Sequence, residues 1–396
     1  MSMNDTPKGE RLHIALFGKR NAGKSSLINA ITDQELSIVS EVKGTTTDPV
    51  YKAMEILPIG PVMLVDTPGL DDEGELGKLR TKKARDVLQK ADVVLIVVDG
   101  SDIGDLSLEY ALEEELKEKK IPYLWVYNKA DLYSNENKEH FHISAKNGKG
   151  IHELKEYLNT MVPKDESRTL VQDIIQAGDF IVLVVPIDKA APKGRLILPQ
   201  QQTIRDILEA GAISVVVRDS ELQETLEKLG QKPKLVITDS QAFEKVNKIV
   251  PKDILLTSFS ILFARYKGEL DIMIESLKAI GNLEDGDKLL MAEGCTHHRQ
   301  CGDIGTQKLP KWIQEYTGKR LVFETSSGGG FPEDLSGYKV VVHCGGCTLQ
   351  QREMERRIAC AGTNHVPIVN YGLLISYLNG ILPRTLEIFG IKLEDE

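Results

Sequence analysis

The run Gly18-Lys19-Arg20-Asn21-Ala22-Gly23-Lys24-Ser25 limits what this chain can fold into more tightly than any other feature. The apolar segment RLHIALF (11–17) precedes it, and SLINAI, with helical spacing, follows. A Gly-x4-Gly-Lys-Ser turn between a strand and a helix is a phosphate cradle. Backbone N–H groups wrap the phosphates, the lysine reaches the β and γ oxygens, and the hydroxyl ligates Mg2+. Gly18, Asn21, Ala22, Gly23, Lys24, Ser25 and Ser26 are therefore candidate nucleotide-binding residues.

Four further segments supply the rest of a guanine-nucleotide site. Asp66-Thr67-Pro68-Gly69 ends an apolar strand, where Asp66 serves as the Mg2+-side carboxylate and the Gly69 amide senses the γ-phosphate. Gly44-Thr45-Thr46-Thr47-Asp48 lies between these segments as a switch, with Thr46 as the Mg2+ ligand of the triphosphate state. Asn128-Lys129-Ala130-Asp131 ends another strand, and Asp131 can accept from guanine N1–H and the 2-amino group, a pattern adenine does not offer. Ser144, Ala145 and Lys146 form the matching base-side loop. GTP or GDP and Mg2+ are the expected ligands, and Lys24, Asn21, Thr46, Asp66 and Gly69 the expected catalytic set. Leu70 stands where a Ras-like GTPase carries a water-orienting glutamine, so slow intrinsic turnover is expected. Asn21 and the GTTTD loop resemble the TrmE–Era branch of GTPases. That resemblance implies K+ held by Asn21 beside the β/γ bridge and K+-stimulated hydrolysis; the plainer alternative is that Asn21 shapes the loop.

With 396 residues the chain is long enough for two or three domains. Strands and helices alternate, and near-continuous apolar strands such as VVLIVVD (93–99) and DFIVLVVPI (179–187) point to an α/β fold with parallel sheets. The division read from the sequence is an N-terminal P-loop GTPase domain at 1–165, a middle parallel α/β domain at 166–262 whose helices offer a dimerisation surface, and a C-terminal α/β domain at 263–396 that carries every cysteine. Residues 258–280 read as one helical connector, and the third domain reads as beginning in a turn region.

All five cysteines fall between 295 and 360. Clustered thiols with short spacings point to a metal or to thiol chemistry before a disulfide. Cys344-Gly345-Gly346-Cys347 ends a strand, His343 precedes it, and Cys295-Thr296-His297-His298 lies upstream. Three thiolates suit three irons of a [4Fe–4S] cube with the fourth iron open, a Cys3His zinc site, or a redox dithiol; spacing alone leaves these open. His297 and His343 are candidate fourth ligands or hydrogen-bonding neighbours. Asp188, after the strand at 179–187, is a further candidate for an exchangeable ligand beside its ordinary role as a turn former. Cys301, Cys360, His13, His140, His142, His152 and His365 read as structural, while His298 is a weaker candidate neighbour of the thiols.

A net charge of −10 without a basic block disfavours nucleic acid as a partner. The longest apolar runs are too short to span a bilayer and no secretory signal opens the chain, so a cytoplasmic protein without membrane association is expected. The combination of a TrmE–Era-like GTPase segment, a middle α/β segment containing VVPIDKAAPKGRLILPQ and a CxH…HCxxC set resembles the [FeFe]-hydrogenase maturation GTPases over nearly the whole chain. The resemblance implies a homodimer, with higher association open, and a [4Fe–4S] cluster on Cys295, Cys344 and Cys347. It also implies a transient 2Fe subcluster precursor as cargo, two radical-SAM maturases as partners and apo-[FeFe]-hydrogenase as recipient. The competing reading is a TrmE–Era-like GTPase of RNA modification or ribosome assembly with a zinc-stabilised C-terminal domain.

Overall fold

Strands β1 (Leu12–Phe17), β2 (Val50–Ile56), β3 (Gly60–Asp66), β4 (Val93–Asp99), β5 (Tyr123–Asn128) and β6 (Phe141–His142) form one sheet in the order β2-β3-β1-β4-β5-β6. The computed structural model describes residues 8–32, 49–71, 86–134, 140–161, 168–187, 196–295 and 303–393. All pairings in this sheet are parallel except that of β2, which runs antiparallel along the edge. Alternation along β1 splits its side chains between two cores. Ile14 and Leu16 meet Leu27, Ile28 and Ile31 of the Lys24–Thr32 helix and Leu154 and Leu158 of the Ile151–Met161 helix. Ala15 and Phe17 face Leu112 and Leu116 of the Ser107–Glu118 helix. Apolar burial on both faces explains why these strands are apolar throughout rather than alternating. Because β1, β3 and β5 are parallel to one another through the sheet, Gly18, Asp66 and Asn128 emerge at the same edge.

The chain divides into two compact units, Met1–Asp165 and Glu166–Glu396. The second unit holds two four-stranded parallel sheets. Strands β7 (Phe180–Val184), β8 (Ile213–Val217), β9 (Leu235–Thr238) and β10 (Leu255–Ser258) are ordered β10-β9-β7-β8. Strands β11 (Lys288–Glu293), β12 (Val322–Ser327), β13 (Val340–His343) and β14 (Ile368–Asn370) are ordered β12-β11-β13-β14. One apolar core runs through both: Val182, Val236 and Leu256 of the first sheet share it with Leu289, Val341 and Val369 of the second. The Phe259–Lys267 helix joins the layers, giving Ile261 to this core and Phe259, Leu262 and Phe263 to the one on the opposite face of the first sheet.

Three local expectations change. Residues 258–280 do not form one helix: it stops at Lys267 and restarts as Leu270–Ser276. Gly268 lies between, where a Cβ would stand 2.8 Å from the Ala264 carbonyl oxygen. The four-residue β10 is hidden by its directly attached helix. The turn region expected to open the third domain contains β11, a central strand whose KLLMAE sequence is nearly all buried. Among the described residues no helix is long and apolar enough to cross a membrane.

Candidate functional site

The phosphate loop is built on two positions that only glycine can fill. Gly18 has φ +154°, and a Cβ there would lie 2.1 Å from the Val97 carbonyl oxygen. Gly23 has φ +88°, and its Cβ would meet Asn128 Nδ2 at 2.2 Å. Exposed Asn21 sits at φ +59°, a left-handed conformation that asparagine tolerates better than most residues. Backbone shape alone therefore accounts for an asparagine at this place. Lys24 is buried, and its Nζ donates to the carbonyl oxygens of Gly18 at 2.8 Å and Lys19 at 2.9 Å. Ser26 lies on the first turn of the following helix.

Ser25 Oγ donates to Asp66 Oδ2 at 2.5 Å. Burial raises the Asp66 carboxyl above its usual range, against the opposing pull of Ser25, Lys24 and Lys52. Asp66 Oδ1 is buried and has no hydrogen-bond partner among the described residues. A buried carboxylate oxygen without a partner, beside a serine hydroxyl, is an oxygen donor set suited to a hard dication, so these residues fit Mg2+. Gly69 approaches the loop so closely that a Cβ would stand 2.6 Å from the Arg20 side chain.

Asn128 braces the base side. Its Nδ2 donates to the Ala22 carbonyl at 3.0 Å, while Oδ1 accepts from the backbone of Lys129 at 2.8 Å and of Ala145 at 3.0 Å. One buried amide thus ties the phosphate loop to both base loops. Ser144 Oγ donates to Asp131 Oδ1 at 2.6 Å, and that bond holds the exposed Asp131 carboxyl below the usual range. Lys129 pairs with Asp99, and Lys146 lies at the surface. Thr46, Asp188, His297, His298 and Cys301 lie outside the described residues.

The second site occupies the carboxyl edge of the β12-β11-β13-β14 sheet, where open α/β sheets place ligands. β11 and β13 are paired neighbours, with Ala292 opposite His343, so Cys295 and the Cys344–Cys347 loop leave the sheet side by side. Cys344 Sγ accepts from the backbone N–H of Gly294 at 3.1 Å and of Gly346 at 3.4 Å, bonds that favour a thiolate. Burial nevertheless pushes the Cys344 thiol up. It pushes Cys347 up to about 12, with the charges of Cys344 and Cys295 adding to the effect. Cys347 thus feels the charges of both Cys344 and Cys295, a repulsion that a cationic centre would relieve. Among the described residues no three Cys, His, Asp or Glu side chains close into a metal-holding set. Lys267, 2% exposed, donates to the carbonyl oxygens of Cys347 at 2.9 Å and Leu349 at 2.7 Å and partly offsets the upward shift of Cys347. Three sulfurs, amide donors to one of them and a buried cation under their loop fit an iron–sulfur cluster, whose thiolate charge such groups stabilise.

Of the two parts expected of His343, ligand or hydrogen-bonding neighbour, its contacts match the second. Its Nδ1 bonds the Cys344 carbonyl oxygen at 2.6 Å, and Arg357 Nη1 donates to its Nε2 at 3.0 Å. Complete burial and the Arg357 charge push its pKa down to about 4, so the ring is neutral with both nitrogens engaged. Arg357 is itself held by Glu353 Oε1 at 2.8 Å and lies over the Phe331 ring at 5.0 Å. His343 thus anchors the cysteine loop. Lys267, Arg357, Glu293 and Tyr371 escape sequence reading because they sit in ordinary helix or strand patterns. Only Glu293, two residues before Cys295 at a strand end, carries a local signal.

Three family models match the chain: a 50S ribosome-binding GTPase at residues 13–129, a hydrogen maturase F dimerization domain at 170–268 and a hydrogen maturase F tetramerization domain at 271–388. The last two together cover more than half of the sequence. The tRNA modification GTPase MnmE of Legionella pneumophila (strain Paris) is 37% identical over 160 residues, covering 39% of this chain and 35% of its own. That of Dichelobacter nodosus is 39% identical over 166 residues, covering 40% and 37%. The chain therefore spans about a third of the length of these relatives. Among solved structures, an Aquifex aeolicus Era variant bound to GDP.AlF4- aligns with a TM-score of 0.35 at 20% identity, covering 55% of this chain and 98% of that one.

Proposed function

The chain belongs to the hydrogen maturase F family, and we propose that it is a GTP-hydrolysing scaffold and carrier that finishes and delivers the 2Fe subcluster precursor to apo-[FeFe]-hydrogenase. The observation that carries this reading is the gathering of Cys295, Cys344 and Cys347 at one sheet edge in a chain that also holds a GTPase site. In the first unit, the Gly18–Ser25 loop cradles the phosphates and Lys24 turns from the loop carbonyls to the β and γ oxygens. Ser25 and Asp66 hold Mg2+, joined by Thr46 in the triphosphate state, while Asp131 and Ser144 read guanine. Asn21 would hold K+, which would supply the positive charge to the phosphates that Leu70 cannot. In the second unit the three cysteines would hold a [4Fe–4S] cluster, which would supply an iron with an exchangeable position for the cargo. Asp188 and His297 are the residues of this chain proposed to reach that position.

Self-association follows from the dimerization and tetramerization matches. We assign the first contact to β8, one of the two outer strands of its sheet, where Ile213 is 41% and Val216 44% exposed. An outer strand with bare apolar side chains is a template for pairing with another chain. Two radical-SAM maturases supply and modify the cargo in this account, and GTP turnover switches domain arrangement or partner release.

The second reading, a GTPase of RNA modification with a zinc-stabilised tail, rests on the MnmE similarity of the first unit alone. Transfer discriminates the two. Chain loaded by the maturases, added to apo-[FeFe]-hydrogenase, is expected to produce hydrogen evolution that Cys344→Ala abolishes. Loaded wild type that leaves the hydrogenase inactive contradicts the carrier role.

A further inference from the structure

The edge that carries the cysteines also carries a buried phenol. β14 ends at Asn370 and Tyr371 opens the next helix, so Tyr371 leaves the same rim as Cys295 and Cys344. Tyr371 is 8% exposed, yet its hydroxyl is buried without a hydrogen-bond partner among the described residues. Buried tyrosine hydroxyls ordinarily find a partner, and leaving that bond unmade is costly. Gly305 fixes where this phenol sits: a Cβ there would stand 2.4 Å from Tyr371 Oη and 2.6 Å from Glu293 Oε1. The hydroxyl and the buried Glu293 carboxylate therefore press on the same glycine. Burial first, then the negative charges of Cys344, Glu293, Asp303 and Cys295, keep the phenol protonated. Its hydroxyl makes no hydrogen bond within the described chain, not even to the neighbouring Glu293 carboxylate.

We propose that the Tyr371 hydroxyl donates a hydrogen bond to the outer atom of the ligand on the cluster iron not held by cysteine, a small metal-bound anion with an exposed lone pair. Tyr371 is then a positioning residue that selects for ligands able to accept a bond after coordination. Gly305 keeps it in place, since any side chain there displaces the phenol. The inference rests on the cluster reading of the second unit.

Cyanide and imidazole separate the possibilities. Carbon-bound cyanide presents a nitrogen acceptor outward, whereas coordinated imidazole presents an N–H donor that gains nothing from a phenol. Full-length wild type, Tyr371→Phe and Gly305→Ala are reconstituted anaerobically, their iron and sulfide measured, and each ligand titrated by EPR of the reduced cluster. Tyr371→Phe is expected to keep the wild-type iron content, to bind cyanide roughly tenfold more weakly and to bind imidazole as wild type does. Gly305→Ala, which removes no polar atom, is expected to show the same selective loss. Unchanged cyanide affinity in both variants, or equal weakening of both ligands, overturns the proposal. Wild type without a reconstitutable cluster overturns the cluster reading instead, and the iron assay reveals this before any titration.

Discussion

Arg357 shows how much of the second site is held by one buried charge. It is 1% exposed and spans Glu353, His343 and the Gly328 carbonyl oxygen. Removing one partner of a buried pair leaves the other charge uncompensated, at a cost of about 3–5 kcal/mol. Arg357→Met is therefore expected to destabilise the second unit by about that amount in urea unfolding followed by circular dichroism, while nucleotide affinity stays at the wild-type value. In the first unit, Asp131→Asn removes a carboxylate that accepts from guanine and replaces it with an amide that donates. Fluorescent-nucleotide titration should show GTP affinity falling about tenfold or more and affinity for xanthosine triphosphate rising. Residues of the nucleotide site were legible because each sits inside a contiguous motif whose spacing reports its role. His343 was singled out, but its partner Arg357 was not, because it lies fourteen residues on in a helix whose pattern reads as an ordinary amphipathic one.

At the scale of elements, periodicity exposed the long strands and hid the short ones. VVLIVVD and FIVLVV declared themselves by uninterrupted apolar character. Four-residue β10 and six-residue β11 are flanked by helix and by turn residues, and only pairing with distant partners identifies them. The cost to the reading was large at β11, because that strand delivers both Glu293 and Cys295 to the site. Strand β8 carries the most direct consequence for assembly. A lysine on an outer strand suppresses pairing with a second chain. Ile213→Lys with Val216→Lys is expected to convert the dimer to a monomer in sedimentation velocity, with the helical circular dichroism signal retained. A dimer that survives both lysines places the contact elsewhere.

For the whole molecule, the sequence conveyed that a nucleotide switch and a thiol cluster share one chain, and it could not convey that two sheets of the second unit share one core. That sharing places Val236 and Val341 in one core although more than a hundred residues of chain separate them. The switch itself is expected to respond to K+. Replacing Na+ by K+ should raise GTP turnover at least about tenfold, and Asn21→Ala should remove the difference while leaving nucleotide affinity intact. Equal turnover in both salts would assign Asn21 to loop geometry alone, as its φ of +59° already permits. The central claim, that the second unit holds a cluster, is tested most directly by metal content. After anaerobic reconstitution, wild type should hold about four irons and four sulfides per chain and give a reduced-cluster EPR signal that Cys344→Ala weakens or loses. Tightly bound zinc with no reconstitutable iron would contradict the account.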